Sequence, residues 1–419
     1  MNVRTTWAGR TIAAAVVLGL ASLSAAQNDS EPPAATAAER AIVGGSLTAA
    51  QQQIEEALLA APNDDHLLFA LGVTQFLRSG ERLAQAAHRY GASVEGNPLL
   101  RLVGLPGAPI PQSADPQEIS YEQLRAILEA WRDDVAEAEA ILARVGDREV
   151  SLRLPVGLIR MDFDADGAAE EAEAMWVLFN RLRTRFRATE DGARDFVIAF
   201  DRGDVNWLRG YCHICLAVGE MILAHDFREL FERCGQLAFA KPKTPYPFLL
   251  TRVPDEHEPF LDMVAAVHLL NFEVVDPAGL ERVRQHLLGA IGQSRAMWTW
   301  YDQETDNDRE WVPNPRQAAV IPRAEVTDDM RAMWITFLGE AEEVLEGERL
   351  VRFWRPSDTR GVNLKRVFTE PRRFDLVLWV QGTAAGPYLE QGQTTSPRLW
   401  DRMERAFGYH VFRHGFWFN

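Results

Sequence analysis

SYEQLRAILEAWRDDVAEAEAILARVG, Ser120 to Gly146, is the stretch from which the class of fold is read. Ser120 and Gln123 form a capping-box pattern, which satisfies two of the backbone N–H groups a helix start leaves without partners. Leu124, Leu128, Trp131, Val135, Ala138 and Leu142 then recur every three or four residues, so they share one face of a helix that stops by Gly146. The opposite, acidic face reads as ordinary solvated surface.

Working outward, the same period returns on both sides. Upstream, Pro106, Pro109, Pro111 and Pro116 forbid a helix over 104–117 and mark a linker. Before it, Ile54, Leu58 and Leu59 lead into a turn at Ala61-Pro62-Asn63-Asp64, and Leu68, Leu71, Gly72, Ala84 and Tyr90 follow as a helix-turn-helix. Small residues at Gly72 and Ala84, where two helices would cross, resemble a tetratricopeptide repeat. Only a unit and a half is present, short of the three repeats such a groove needs, so a helical hairpin is expected. Downstream, Val150 to Leu154 reads as a short strand. Asp204 is placed as the cap of a long helix whose face carries Leu208, Tyr211, Cys215, Val218 and Ile222. Thr327 opens another with Met330, Met333, Trp334, Phe337 and Leu345 inward. Gly361 to Arg373 reads as extended or looped, Asp375 starts an apolar element through Trp379, and a helix is expected between Ser396 and Gly408. The fold class is therefore mainly α: an irregular helical bundle or array with a few short strands.

The first residues add an address. Arg4 and Arg10 precede an apolar run to about Leu23, and Ser24, Ala25 and Ala26 offer small residues for cleavage before Gln27. This reads as a signal peptide, 1–26, directing the chain to the periplasm or the cell exterior. Four stretches follow: a tetratricopeptide-like hairpin region, 27–103; the linker, 104–117; a helical region, 118–240; and a C-terminal mainly helical region, 241–419. A hydrophobic fraction of 47% supports a substantial core, and a formal charge of -16 argues against nucleic acid as a partner. No run in the mature chain reaches membrane-spanning length. Cys212, Cys215 and Cys234 are an odd number and a poor disulfide framework. Cys212-His213-Ile214-Cys215 could hold a metal, but without a second ligand pair these thiols are expected to pack.

Within the 118–240 region one spacing dictates a chemistry. In Asp162-Phe163-Asp164-Ala165-Asp166-Gly167-Ala168-Ala169-Glu170-Glu171-Ala172-Glu173, oxygen-bearing groups fall at positions 1, 3, 5, 7, 9 and 12, with glycine at 6. Calcium needs six to eight hard oxygens, and alternating carboxylates can surround it only if the chain reverses between them. The stretch resembles an EF-hand loop and the helix after it, on which Met175, Phe179, Leu182 and Phe186 keep helical spacing. The resemblance implies a Ca2+ ion held by Asp162, Asp164, Asp166, the Ala168 carbonyl, Glu170 and Glu173. Ala169 stands where the family carries a larger aliphatic residue, and Pro155 and Gly157 interrupt the entering segment, so an unpaired, irregularly flanked loop is expected. A solvated acidic turn that caps a helix is the bland alternative.

Two other clusters are weighed. Trp298 to Trp311 mixes four aromatic residues with Glu304, Asp306, Asp308 and Glu310. The plain account is an acidic loop pinned by buried tryptophans; the same residue types also build grooves that cleave sugars with paired carboxyls, or a further ion site. Asp255 to Glu258 before Pro259 reads as a helix cap, His225 as a helix-end residue, and His410 with His414 as weak evidence for metal. The aromatic end, Phe407, Tyr409, Phe412, Phe416, Trp417 and Phe418, is expected to be buried. Function is thus read as an exported calcium-binding helical protein, with a hydrolase acting on an envelope or extracellular polysaccharide and a module for a protein partner as alternatives.

Overall fold

The computed structural model describes residues 35–92, 111–182, 188–251, 258–321, 325–355, 357–396, 402, 403, 405, 417 and 418. Residues 1–34, residues 93–110 with much of the linker, Phe186, the residues Asp255, Glu256 and His257, most of 396–408, the aromatic residues 407–416 and the pair His410 and His414 lie outside them. The fold is mainly α: thirteen helices stand against eight strands of two to four residues among the described residues.

At the centre lie two long helices in close contact, α7 (Arg202–Leu223) and α10 (Pro277–Tyr301). Helix α4 (Tyr121–Leu142) packs on α7, α3 (Asp65–Arg89) packs on α4, and α2 (Leu47–Ala60) and α1 (Ala37–Val43) complete that side. Helices α11 (Asp328–Leu345) and α12 (Leu364–Thr369) cover α10 on the other. One continuous apolar cluster runs through these layers from Ala38 to Phe418.

The capping box at Ser120 and Gln123 forms as expected, and Val135, Ala138 and Leu142 are buried while Leu124, Leu128 and Trp131 are half-buried. Residues 65–89, by contrast, are one unbroken helix rather than a helix-turn-helix. Gly80 lies on an open face and does not break it, since a single glycine costs only about 1 kcal/mol inside a helix. Gly72 has a different partner from the one the repeat pattern implied: a Cβ there would sit 2.5 Å from the Leu142 side chain, so the close crossing is with α4. The cap of α7 is Asp201, not Asp204. Asp204 is the residue three further on, whose carboxylate returns to the Asp201 N–H at 3.0 Å. Residues 361–373, expected to lack helix, hold β6 (Gly361–Val362) and α12, which Asn363 caps through the Arg366 N–H.

The strands clip loops to the bundle. β1 (Leu152–Leu154) pairs antiparallel with β2 (Ile198–Phe200); β3 (His225–Asp226), β4 (Asn271–Val274) and β7 (Phe374–Asp375) form one three-stranded sheet; β5 (Val351–Arg352), β6 and β8 (Leu389–Glu390) form another. Shorter helices α5 (Met175–Leu182), α6 (Glu190–Asp195), α8 (Arg228–Cys234), α9 (Glu258–His268) and α13 (Leu376–Gln381) fill the connections. No helix among the described residues is long and apolar enough to cross a membrane.

All three cysteines are buried free thiols. Burial raises Cys215 to about 12 and Cys234 to about 11, so they stay protonated and pack. Trp417 and Phe418 are buried, the Phe418 ring edge-on to Trp298 at 5.3 Å. The Trp417 carbonyl accepts the Trp207 indole N–H at 3.0 Å and the Phe418 carbonyl accepts the Ser294 hydroxyl at 3.1 Å.

Candidate functional site: two gatherings of carboxylates

The segment from β1 to α5 builds the first gathering. Residues 156–158 make a single 3₁₀ turn rather than an entering helix, and Arg160 then bridges antiparallel to Ala174 across the base of the loop. Between them the chain reverses through two left-handed residues, Ala165 (φ 62°) and Gly167 (φ 92°). Glycine accepts that conformation freely; alanine does so at a steric cost. The consequence is convergence: one oxygen each of Asp162, Asp164 and Asp166 lies within 4.8 Å of the others. The two Asp162 oxygens accept the N–H groups of Asp166 (3.2 Å) and Gly167 (3.1 Å), and Asp166 accepts that of Ala168 (2.8 Å).

Glu173 takes another part. Buried at the foot of the loop, it receives the Phe163 N–H at 2.7 Å on one oxygen and the Glu170 N–H at 3.0 Å on the other. It ties the ends of the loop together and stands outside the aspartate triplet, as does the exposed Glu170; Ala168 is exposed on the rim. Burial raises the Glu173 carboxyl above its ordinary value, against the lowering effect of those two N–H groups. The loop is also bolted to α3. Glu81, itself buried, accepts the Asp162 N–H at 2.9 Å, and the Gln85 amide donates to the Asp162 carbonyl at 2.7 Å.

The second gathering joins two remote segments: one oxygen each of Asp201, Glu304 and Glu310 falls within 4.8 Å of the others. Asp201 is fixed as the α7 cap, accepting the Gly203 and Asp204 N–H groups at 2.7 and 3.3 Å. Gly203 is indispensable to the approach, since a Cβ there would overlap the Tyr301 ring. That closeness lets the Tyr301 hydroxyl donate to the buried Asp204 at 2.6 Å. Past α10, the amide of Asn314 holds the Tyr301 and Glu304 carbonyls, and Arg309 turns with φ 62° to hand its carbonyl to the Ala199 N–H of β2. Glu310 is then carried inward, accepting the Asp308 N–H at 2.8 Å.

Burial, then the charges of Asp201 and Glu310, pushes Glu304 up to about 9. Glu310 rises to about 7, through burial first and then Asp201, Asp306 and Asp308. Burial also raises Asp201 and Asp204. Near neutral pH the cluster therefore keeps at least one proton, which like charges in a poorly solvated place require. Asp308 turns aside to pair with Arg153, and Asp306 is exposed. Trp298, Tyr301 and Trp311 are buried, so this loop is pinned by its aromatic residues and offers none of these three as a platform for a sugar.

The sequence marked Glu304 and Glu310 but missed Asp201. Its only signal was an Asp-x-x-Asp pattern ahead of an apolar helix, which reads as a cap. No protein-family model, curated protein or solved structure matches the chain.

Proposed function

We propose that the chain is an exported calcium-binding helical protein, its ion held by the 162–173 loop in a structural or sensory role. The supporting observation is the convergence of Asp162, Asp164 and Asp166 about a bend that places alanine in a left-handed conformation. A residue held at such a cost belongs where the surroundings need that shape. Calcium would take oxygens from the three aspartates and from the 168–170 rim. A lone loop suits an affinity on the order of 0.1–1 mM, useful in calcium-rich surroundings outside a cell. Calorimetric titration tests this: saturable heat with calcium is expected, together with a rise in Tm that Asp162→Ala removes. Absence of heat at millimolar calcium in the intact protein refutes it.

The second reading, a hydrolase of envelope or extracellular polysaccharide, draws support from Glu304 at about 9 beside Glu310 at about 7, an acid and a base held apart in proton affinity. Carboxyls so close would suit the retaining rather than the inverting geometry. Glu304→Gln and Glu310→Gln should each abolish any glycan cleavage; a cleavage that survives both substitutions disposes of this site.

A further inference from the structure

Behind the second carboxylate gathering lies an apolar cavity of about 110 Å³ enclosed by α3, α7, the β1–β2 pair and Trp311. We infer that it is a binding site for a small, wholly apolar molecule, one ring or an alkyl group of like bulk.

The size selects the class. Close-packed interiors leave few voids larger than a water, and an apolar cavity of about 150 Å³ in another protein stays dry and takes up benzene. The lining selects it again: Phe69, Leu154, Trp207, Leu208 and Trp311 are buried and present rings and methyl groups. Water needs two to four polar partners to settle, and the Asp204 carboxylate in this wall is already engaged by the Tyr301 hydroxyl and the Asp201 N–H. On the α3 and α5 side the lining residues Val73, Phe76, Leu77 and Met175 are half-buried.

The site is separate from the calcium loop and needs neither the ion nor catalysis.

Full-length protein titrated with cyclohexane, benzene and cyclohexanone, read by tryptophan fluorescence and by Tm, tests the inference. Saturable binding is expected for all three. Cyclohexane and benzene should bind at least roughly tenfold more tightly than cyclohexanone, whose carbonyl gives up its water without finding a partner in the cavity. Val156→Phe or Leu77→Phe should fill the site and abolish binding. If no probe changes fluorescence or Tm in the unmodified protein, the cavity is a packing void and the inference falls. Affinity for cyclohexanone equal to or above that for cyclohexane overturns the apolar character assigned to the site.

Discussion

Gly203 shows how much one missing methyl group can decide. With any side chain at that position Tyr301 could not lie on the first turn of α7, and its hydroxyl would not reach Asp204. Gly203→Ala should therefore cost about 1–3 kcal/mol in urea denaturation. It should also raise the Asp204 carboxyl further, since the bond that lowers it would be lost. Glu304 and Glu310 give a second expectation, with a definite sign. Their folded values, about 9 and about 7, lie above the ordinary glutamate value, so the folded state holds protons that the unfolded chain releases. Stability contributed by these residues is full below about pH 4.5 and declines as pH rises through 7 and 9. A Tm series from pH 5 to 9 should slope downward, and Glu304→Gln with Glu310→Gln should flatten it; an upward slope in that window would contradict the assignment.

At the scale of elements, the helices that announce themselves do so through local chemistry. Ser120 with Gln123 and Thr327 with its following stripe need only their own neighbours to be read. Where the reading went astray, the deciding contact lay far along the chain. Gly72 looked like a crossing within a hairpin, but Leu142 fills the space beside it. Asp204 looked like a cap because it stands just ahead of an apolar helical stripe; its carboxylate does return to a backbone N–H, but as the partner of a cap at Asp201. The short helix after Asn363 was invisible since six residues between two strands give too little period to detect. The aspartate triplet was legible from spacing alone, whereas Asp201 could not be joined to Glu304 without knowing how α7 packs on the segment beyond α10. The Glu81 contact gives this scale its prediction. Glu81→Gln keeps the size but substitutes a neutral acceptor for the one now holding the Asp162 N–H. Calcium affinity should fall by about three- to tenfold with little change in far-UV circular dichroism, because an anchor bond is weakened and no ligand is removed. An unchanged affinity would show that the loop holds its shape unaided.

For the whole molecule, the apolar cluster from Ala38 to Phe418 means that distant stretches share one core. Phe418 lies among Trp298 and Trp334, and Trp417 reaches the Trp311 carbonyl, so these two residues close the α10 side. Phe418→Ala should lower stability by about 3–5 kcal/mol, the usual loss for a buried phenylalanine, measured by denaturant unfolding. The outer surface carries its own apolar ground: Phe260, Leu261 and Val264 on α9 and Val377, Leu378 and Val380 on α13 are exposed, on helices that touch. They are the feature that most favours a protein partner among the alternatives.

Helix α3 has a double attachment whose outcome is thermodynamic. Glu81 and Gln85 grip the 162–173 loop, while Phe69, Val73, Phe76 and Leu77, one to three turns earlier on the same rod, line the cavity. Were both proposed guests to bind, α3 is the element through which any coupling between them would run. Whatever factor calcium imposes on the hold for a hydrocarbon, the hydrocarbon must return in equal measure to calcium.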